Sequence, residues 1–211
     1  TVVVDGTYSN PASIVSGIPQ GSSIGPVLFI LFLNDLGKVL PSEVEYGVYA
    51  DDLKIYAPVP ESHNFIQLAL DKVWEWSISN NLGISIRKCS AQHFGCSNPR
   101  LPYSIDGQPI PVVDFARDLG LHIESDLSFS RHINLISVKT LSISNILFRT
   151  FRSTSPEIYL RAFKTYIRPL LEFSTEVWSP TSVGLVNTIE SVQRAFTRRL
   201  FARCGIQQNG V

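Results

Sequence analysis

The chain has no methionine anywhere in its 211 residues and only three cysteines. Starting at Thr1 in the β-prone run TVVVDG, a sequence without methionine is expected to be a piece of a longer polypeptide. Cys89, Cys96 and Cys204 are odd in number and lack CxxC spacing, which argues against a disulfide framework and for a reducing compartment. Cys89, His93 and Cys96 lie close enough in sequence to hold a metal, although structural thiols are the commoner use of such residues. Long hydrophobic runs are also missing. The longest, Val27 to Leu33, falls far short of the roughly 20 residues of a membrane span, and no charged leader precedes it. Neither secretion nor membrane insertion is expected.

Net charge is missing too, since 18 basic residues offset 18 acidic ones. That zero conceals a segregation. Residues 1–126 carry 14 Asp+Glu and 7 Lys+Arg, whereas residues 127–211 carry 4 and 11. An acidic part that holds cations and a basic part that meets a polyanion would explain the division, as would chance clustering on solvated faces. With 44% hydrophobic residues the chain has the material for one large core or two small ones.

Turn signals at Asp5-Gly6 and Asn10-Pro11 punctuate β-prone runs at the start. In SSIGPVLFILFLNDLGKVL, Ser22 or Ser23 suits a cap, Pro26 the first helical turn and Gly37 the end. The helix between them is apolar almost all round and is therefore expected to be buried. Val44, Tyr46 and Val48, then Leu53, Ile55 and Ala57, alternate as two strands with Ala50-Asp51-Asp52 at their turn. Ile66, Leu70, Val73 and Trp74 predict a helix over 62–80 that stops near Asn80-Asn81-Leu82-Gly83. A strand region is expected over Ile84, Ile86 and Ser90 to Gly95, a hairpin at Asp106-Gly107, and a strand from Leu119 to Ile123. Beyond Asp126 the texture is helical. One long helix runs from Phe129 to Phe151, a second starts at Ser155-Pro156-Glu157 and kinks at Pro169, and a last one uses Val186, Ile189, Val192, Phe196 and Leu200.

The stretch GVYADDLKIY places Asp51 and Asp52 side by side at a hairpin tip. Two adjacent carboxylates disfavour each other's ionisation, and a divalent cation removes that conflict. Magnesium takes one or two carboxylates together with water and substrate phosphate, and paired ions suit in-line phosphoryl displacement. A solvated Asp-Asp turn is the plainer reading of the dipeptide alone.

Its surroundings decide between the two. SGIPQG (16–21), SSIGPVLFILFLNDL (22–36) and YADD (49–52) resemble the reverse transcriptases of non-LTR (LINE-type) retrotransposons, in their jockey-like and CR1-like branch. KCSAQHFG (88–95), DLGLHI (118–123), LSFSRHI (127–133), RAFKTYIRPLLEFSTEVWSP (161–180) and VQRAFTRRL (192–200) are similar to later segments of the same family, so the resemblance spans nearly the whole chain.

That resemblance implies an α+β right-hand polymerase palm, an antiparallel sheet packed on helices, over 1–125, and an all-helical basic thumb over 126–211. Fingers and the first palm strand would be missing. It implies an RNA-directed DNA polymerase that copies retroelement RNA with two Mg2+ ions, Mn2+ being a possible substitute. Its partners would be an RNA template, a DNA primer, deoxynucleoside triphosphates and the upstream part of the same polyprotein, in an intracellular, nuclear setting. Asp51 would be the main metal ligand and Asp52 the second. Pro19, Gln20, Gly21, Tyr49 and Ala50 would line the incoming nucleotide, with Gly17 shaping the same loop. Lys88 would stand near the nucleotide's phosphates, and Leu119-Gly120 would be the primer-grip turn. Arg131, Lys139, Arg194, Arg198 and Arg199 would track the template–primer backbone. Phe129, Phe163, Trp178 and Phe196 are expected in the core, as their helical spacing implies. Another carboxylate on an upstream strand would complete the metal cage; Asp5, in a turn, is not assigned that job. The isolated chain is accordingly expected to be inactive. The alternative is a truncated retroelement remnant that at most binds nucleic acid. Telomerase or intron-encoded relatives are disfavoured by the thumb segments.

Overall fold

The computed structural model describes residues 3–10, 17, 21–59 and 62–206. In chain order the strands are β1 (Val3–Val4), β2 (Thr7–Tyr8), β3 (Glu45–Tyr49), β4 (Asp52–Tyr56), β5 (Ala91–Gln92), β6 (Ser104–Ile105), β7 (Gln108–Pro109), β8 (Val112–Val113), β9 (Phe115–Asp118) and β10 (Leu121–Glu124). The α-helices are α1 (Gly25–Leu33), α2 (His63–Ser79), α3 (Ser130–Thr150), α4 (Pro156–Ala162), α5 (Arg168–Leu171), α6 (Thr175–Trp178) and α7 (Val183–Cys204). Among the described residues every ladder has two strands, and only β5–β8 is parallel. The chain is thus of mixed helix and strand. It divides into two compact units, residues 1–89 with 101–110 and residues 90–100 with 111–211. The reversal of charge near residue 126 falls inside the second unit.

In the first unit, β3 and β4 pair antiparallel from Glu45↔Tyr56 to Tyr49↔Asp52. Their period of two sends Leu53 and Ile55 to a small core around Leu36, Val73 and Trp76, which Leu33, Val39, Leu40, Leu82 and Ile84 complete. Trp76 also donates its indole N–H to Asp35 Oδ1 at 3.1 Å, so its polar atom is satisfied where its ring is buried. Gly37 sits in a 3-10 turn, Leu36–Lys38, beyond the end of α1. A side chain there would occupy the place of the Tyr46 phenol.

Three expectations are corrected in this unit. First, α1 is exposed: Val27, Leu28, Ile30, Leu31 and Phe32 all remain on the surface and only Gly25 is buried. The reason is that the described contacts of α1 are one-sided. Leu33 joins the small core and Phe32 meets Trp76 edge-on at 5.8 Å, while nothing described covers the remaining faces. Second, the residue before α1 is Ile24 with no side-chain cap, so neither Ser22 nor Ser23 caps it. Third, Ile86–Lys88 is a 3-10 turn rather than a strand, because the amides of Lys88 and Cys89 bond to the carbonyls of Ser85 and Ile86 at 2.9 and 3.0 Å. Asp106-Gly107 makes the expected two-residue hairpin, with φ of 52° and 70°.

The second unit owns the larger core. Leu147, Phe148, Tyr159, Ala162, Ile167, Leu171, Val192, Phe196 and Leu200 close it between α3, α7 and the elements that connect them. A neighbouring cluster joins Leu121, Ile133 and Trp178. Phe129 and Phe163 pack against these clusters, so all four aromatics expected in the core are found there. Tyr159 is fully buried and its hydroxyl meets the carbonyls of Phe151 and Ser153 at 2.8 and 3.0 Å. The bend expected at Pro169 is taken up by a π turn, Phe163–Ile167, closed by the Arg168 amide on the Phe163 carbonyl. The extra residue in that turn accommodates the missing amide and bulky ring of Pro169. Leu119 and Gly120 form a two-residue loop between β9 and β10, so the strand expected from Leu119 begins at Leu121.

The start of α3 is electrostatically well made. Glu124 accepts from the Arg131 amide at 2.8 Å and from the hydroxyls of Ser128 and Ser130, putting a carboxylate at the positive end of the helix. The Ser128 amide, 3.0 Å from Asp126 Oδ1, holds that carboxyl below the usual range. Deeper in, His132 is buried against Trp178, with ring centroids 5.1 Å apart, and its Nδ1 accepts from the His122 amide at 3.3 Å. Burial, and then the neighbouring His122, push the His132 pKa down.

Candidate active site and nucleic-acid face

The β3–β4 hairpin carries the acidic pair. Its loop is Ala50-Asp51, and Ala50 has φ +52° while Asp51 does not have a positive φ. A positive φ at only the first loop position is the pattern of a type II′ turn, which ordinarily recruits glycine there. An alanine held in that region costs about 1 kcal/mol. Asp51 and Asp52 are both exposed, and among the described residues neither carboxylate has a hydrogen-bond or ion-pair partner. Strand alternation puts Tyr49, Asp52 and Lys54 on the face opposite the small core. Lys54 thus shares a face with Asp52. The period of two in DLKIY carries that relation in the sequence itself.

Of the loop expected to line a nucleotide, Gly17 and Gly21 are described, with φ of 80° and 87°, and Pro19 and Gln20 lie outside the described residues. Lys88 is exposed at the end of its 3-10 turn, and no described ion pair joins it to the hairpin. Cys89 is half-buried, which raises its thiol pKa, and Cys96 is exposed. Among the described residues no group of three or more His, Cys, Asp or Glu is placed to hold a metal, so the Cys89, His93, Cys96 alternative gains no support.

The other expected site residues belong to the second unit. Leu119 (φ 44°) is exposed at the tip of the β9–β10 loop, and a Cβ on Gly120 (φ 93°) would stand 3.3 Å from the Phe173 ring. Phe173 is exposed beside that turn, a neighbour that only the fold reveals. Arg131 stacks its guanidinium 3.5 Å from the centroid of Phe115. Lys139 is exposed on α3. On α7, Arg194 and Arg198 are exposed, whereas Arg199 bonds Asn145 and lies over the Phe148 ring.

Comparison with known proteins agrees with the motifs these elements carry. The profile described as reverse transcriptase (RNA-dependent DNA polymerase) matches residues 3–140, which include the YADD hairpin and the Leu119-Gly120 turn. The chain belongs to the reverse transcriptase family. This family member is 26% identical over 213 residues to the RNA-directed DNA polymerase from mobile element jockey of Drosophila funebris, an alignment covering 95% of the chain and 23% of that protein. It is equally similar, at 26% over 212 residues, to the jockey polymerase of Drosophila melanogaster, covering 94% of the chain and 23% of that protein. Against the probable RNA-directed DNA polymerase from transposon X-element of Drosophila melanogaster it is 23% identical, over 90% of the chain and 22% of that protein. The chain therefore spans less than a quarter of the length of these relatives, all from non-LTR retrotransposons. No solved structure matches it.

Proposed function

We propose that this chain is the carboxy-terminal palm and thumb of an RNA-directed DNA polymerase, which copies retroelement RNA into DNA by metal-dependent nucleotidyl transfer. One observation carries the reading. Two consecutive carboxylates, without partners among the described residues, stand at the exposed tip of a hairpin, on a backbone strained at Ala50, inside the span that matches the family. The donor set suits magnesium, which needs only one or two carboxylates when substrate phosphates supply the rest. Asp51 and Asp52 would hold the ion. Bound there, it would supply charge stabilisation to the transferring phosphoryl group.

The chain's own residues supply position. The β3–β4 ladder fixes both carboxylates on a rigid ribbon, and Tyr49 and Ala50 flank them where a nucleotide sugar would lie. Lys88, and Lys54 on the Asp52 face, add positive charge for phosphates. Leu119-Gly120 would steady the primer, and Arg131, Lys139 and α7 would meet the template–primer backbone. A further carboxylate, from polypeptide outside this chain, would complete the metal site. The proposed partners are thus an RNA template, a DNA primer, deoxynucleoside triphosphates and that upstream segment.

The test exchanges this chain for the matching span of a jockey polymerase and measures primer extension on RNA with Mg2+ or Mn2+. Extension by the chimera, reduced about 100-fold or more by Asp51→Asn, is the expected result. The chain alone should extend nothing; extension by it would overturn the need for an outside carboxylate. A folded chimera without activity would favour the second reading, a remnant that at most binds nucleic acid. That reading draws on the lack of a third metal-ligating group among the described residues.

A further inference from the structure

The Leu119-Gly120 turn breaks two local rules. Both of its loop residues have positive φ, 44° and 93°, the pattern of a type I′ hairpin turn. That turn recruits Asn, Asp or Gly at its first position, because a larger side chain is disfavoured there. Leucine occupies the position instead, and it is exposed. A strained backbone under an exposed apolar side chain gains neither turn propensity nor burial, and such combinations collect at ligand clamps.

Phe173 stands behind this turn. It too is exposed, yet its ring fills the room beside Gly120, where a Cβ would stand 3.3 Å from Cε1 and 3.8 Å from Cζ. The backbone of Phe173 is held independently of its ring. Trp178, 2% exposed, donates its indole N–H to the Phe173 carbonyl at 2.7 Å. Ser174, the next residue, turns the chain with φ 54° and accepts the Val177 amide at 3.0 Å. Trp178 in turn shares a cluster with Leu121 and Ile133, and Leu121 is the first residue after the turn. The contacts thus close a circuit, from Leu121 through that cluster to Trp178, on to Phe173 and back to Gly120. A two-residue loop held from both sides in this way has its freedom narrowed without any contact to its tip.

We infer that Phe173 is a positioning residue, which acts through Gly120 to fix the Leu119 tip and with it the primer terminus that the tip would steady. The positioning role rests on the reading of this turn as the primer-steadying element; the buttress does not. A misplacement of about 1 Å at the reacting atoms can cost about 100-fold in rate, so freedom at the tip is converted directly into slower chemistry. A merely structural role would show as lost stability instead, and a ring this exposed contributes little of that.

Two measurements separate the parts. In the full chain, Phe173→Ala should speed hydrogen exchange of the amides from Asp118 to Leu121 several-fold while lowering Tm by no more than about 4 °C. In the jockey chimera, the burst of single-nucleotide addition to a DNA primer on an RNA template should keep its amplitude, which counts folded enzyme, and slow about 10-fold in rate constant. Phe173→Met, which refills the space beside Gly120, should recover most of that rate. Val177→Ala, the truncation of another exposed apolar residue, should change neither exchange nor rate. Unchanged exchange in Phe173→Ala overturns the buttress. Faster exchange with an unchanged burst rate overturns the positioning role and leaves the polymerase reading intact. A burst that loses amplitude at constant rate assigns Phe173 to folding alone and overturns the positioning role as well. A wild-type chimera that folds but extends nothing overturns that role together with the polymerase reading, while the exchange result still decides the buttress.

Discussion

Helix α1 of the first unit and the long helices of the second treat their apolar residues in opposite ways. Helix α1 is apolar at every position except Gly25 and Pro26, yet leaves Ile30 and Leu31 about two-thirds exposed, at 66% and 64%. Helices α3 and α7 are far more polar and bury Ile133, Val192 and Phe196 almost completely. Composition therefore sets how much surface a segment can bury, and partners set how much it does bury. The second unit contains its own partners. For α1, among the described residues, the first unit supplies them on one side only, around Leu33 and Phe32.

The largest expected effect tests that contrast directly. Phe196→Ala should cost the second unit about 3–5 kcal/mol, since it empties a well-packed site. Ile30→Ser in α1 should stay within about 0.5 kcal/mol. Hydrogen exchange resolves the two units separately, and a comparable loss from both substitutions would break the contrast. Next in size is Tyr159→Phe, which strands two carbonyls that its hydroxyl now serves and should cost about 1–2 kcal/mol, read from the urea midpoint.

Acid should also single out the second unit. The folded pKa of His132 lies below its ordinary 6.5, so the unfolded chain takes up a proton more readily than the folded one. Its contribution is complete above about pH 6.5 and is lost as pH falls toward the depressed folded value. Protonation would also end the acceptance of the His122 amide by Nδ1. Melting from pH 7.5 to 5 should show Tm falling in the wild-type chain and falling less in His132→Asn. The smallest effect belongs to the first unit. Ala50→Gly removes an alanine held at positive φ and should stabilise the hairpin by at most about 1 kcal/mol, visible as slower exchange of the β3–β4 amides.

Much of the architecture was legible before any coordinates. Alternation marked β3 and β4, three-and-four spacing marked α2, α3 and α7, and Asp106-Gly107 marked a turn. These signals are local, because side-chain direction repeats with the backbone's own period. The misreadings came where a local pattern had two outcomes. Ile84 and Ile86 alternate like a strand, but the i,i+3 bonds to Ser85 and Ile86 close a 3-10 turn. Leu119 looked like the first residue of a strand and is instead half of the turn before it.

The site divides along the same line. Asp51 and Asp52 were placed at a hairpin tip by the alternation on both sides of them, and the motifs around them carried the family. The fate of the arginines was out of reach, because Arg199 and Arg203 find partners more than 50 residues away on α3. A run such as RAFTRR records charge and helical period without recording which donors are already spent.

By itself, then, the sequence determined membership of the reverse transcriptase family, the acidic hairpin and the helices α2, α3 and α7, because each follows from short-range spacing or ordered motifs. Only the tertiary structure decided that α1 stays uncovered within the described residues, that His132 is buried beside His122, and that Arg199 and Arg203 are engaged with groups of α3 while Arg194 and Arg198 stay exposed. Those outcomes depend on which distant groups come into contact, and contact between distant groups is a property of packing.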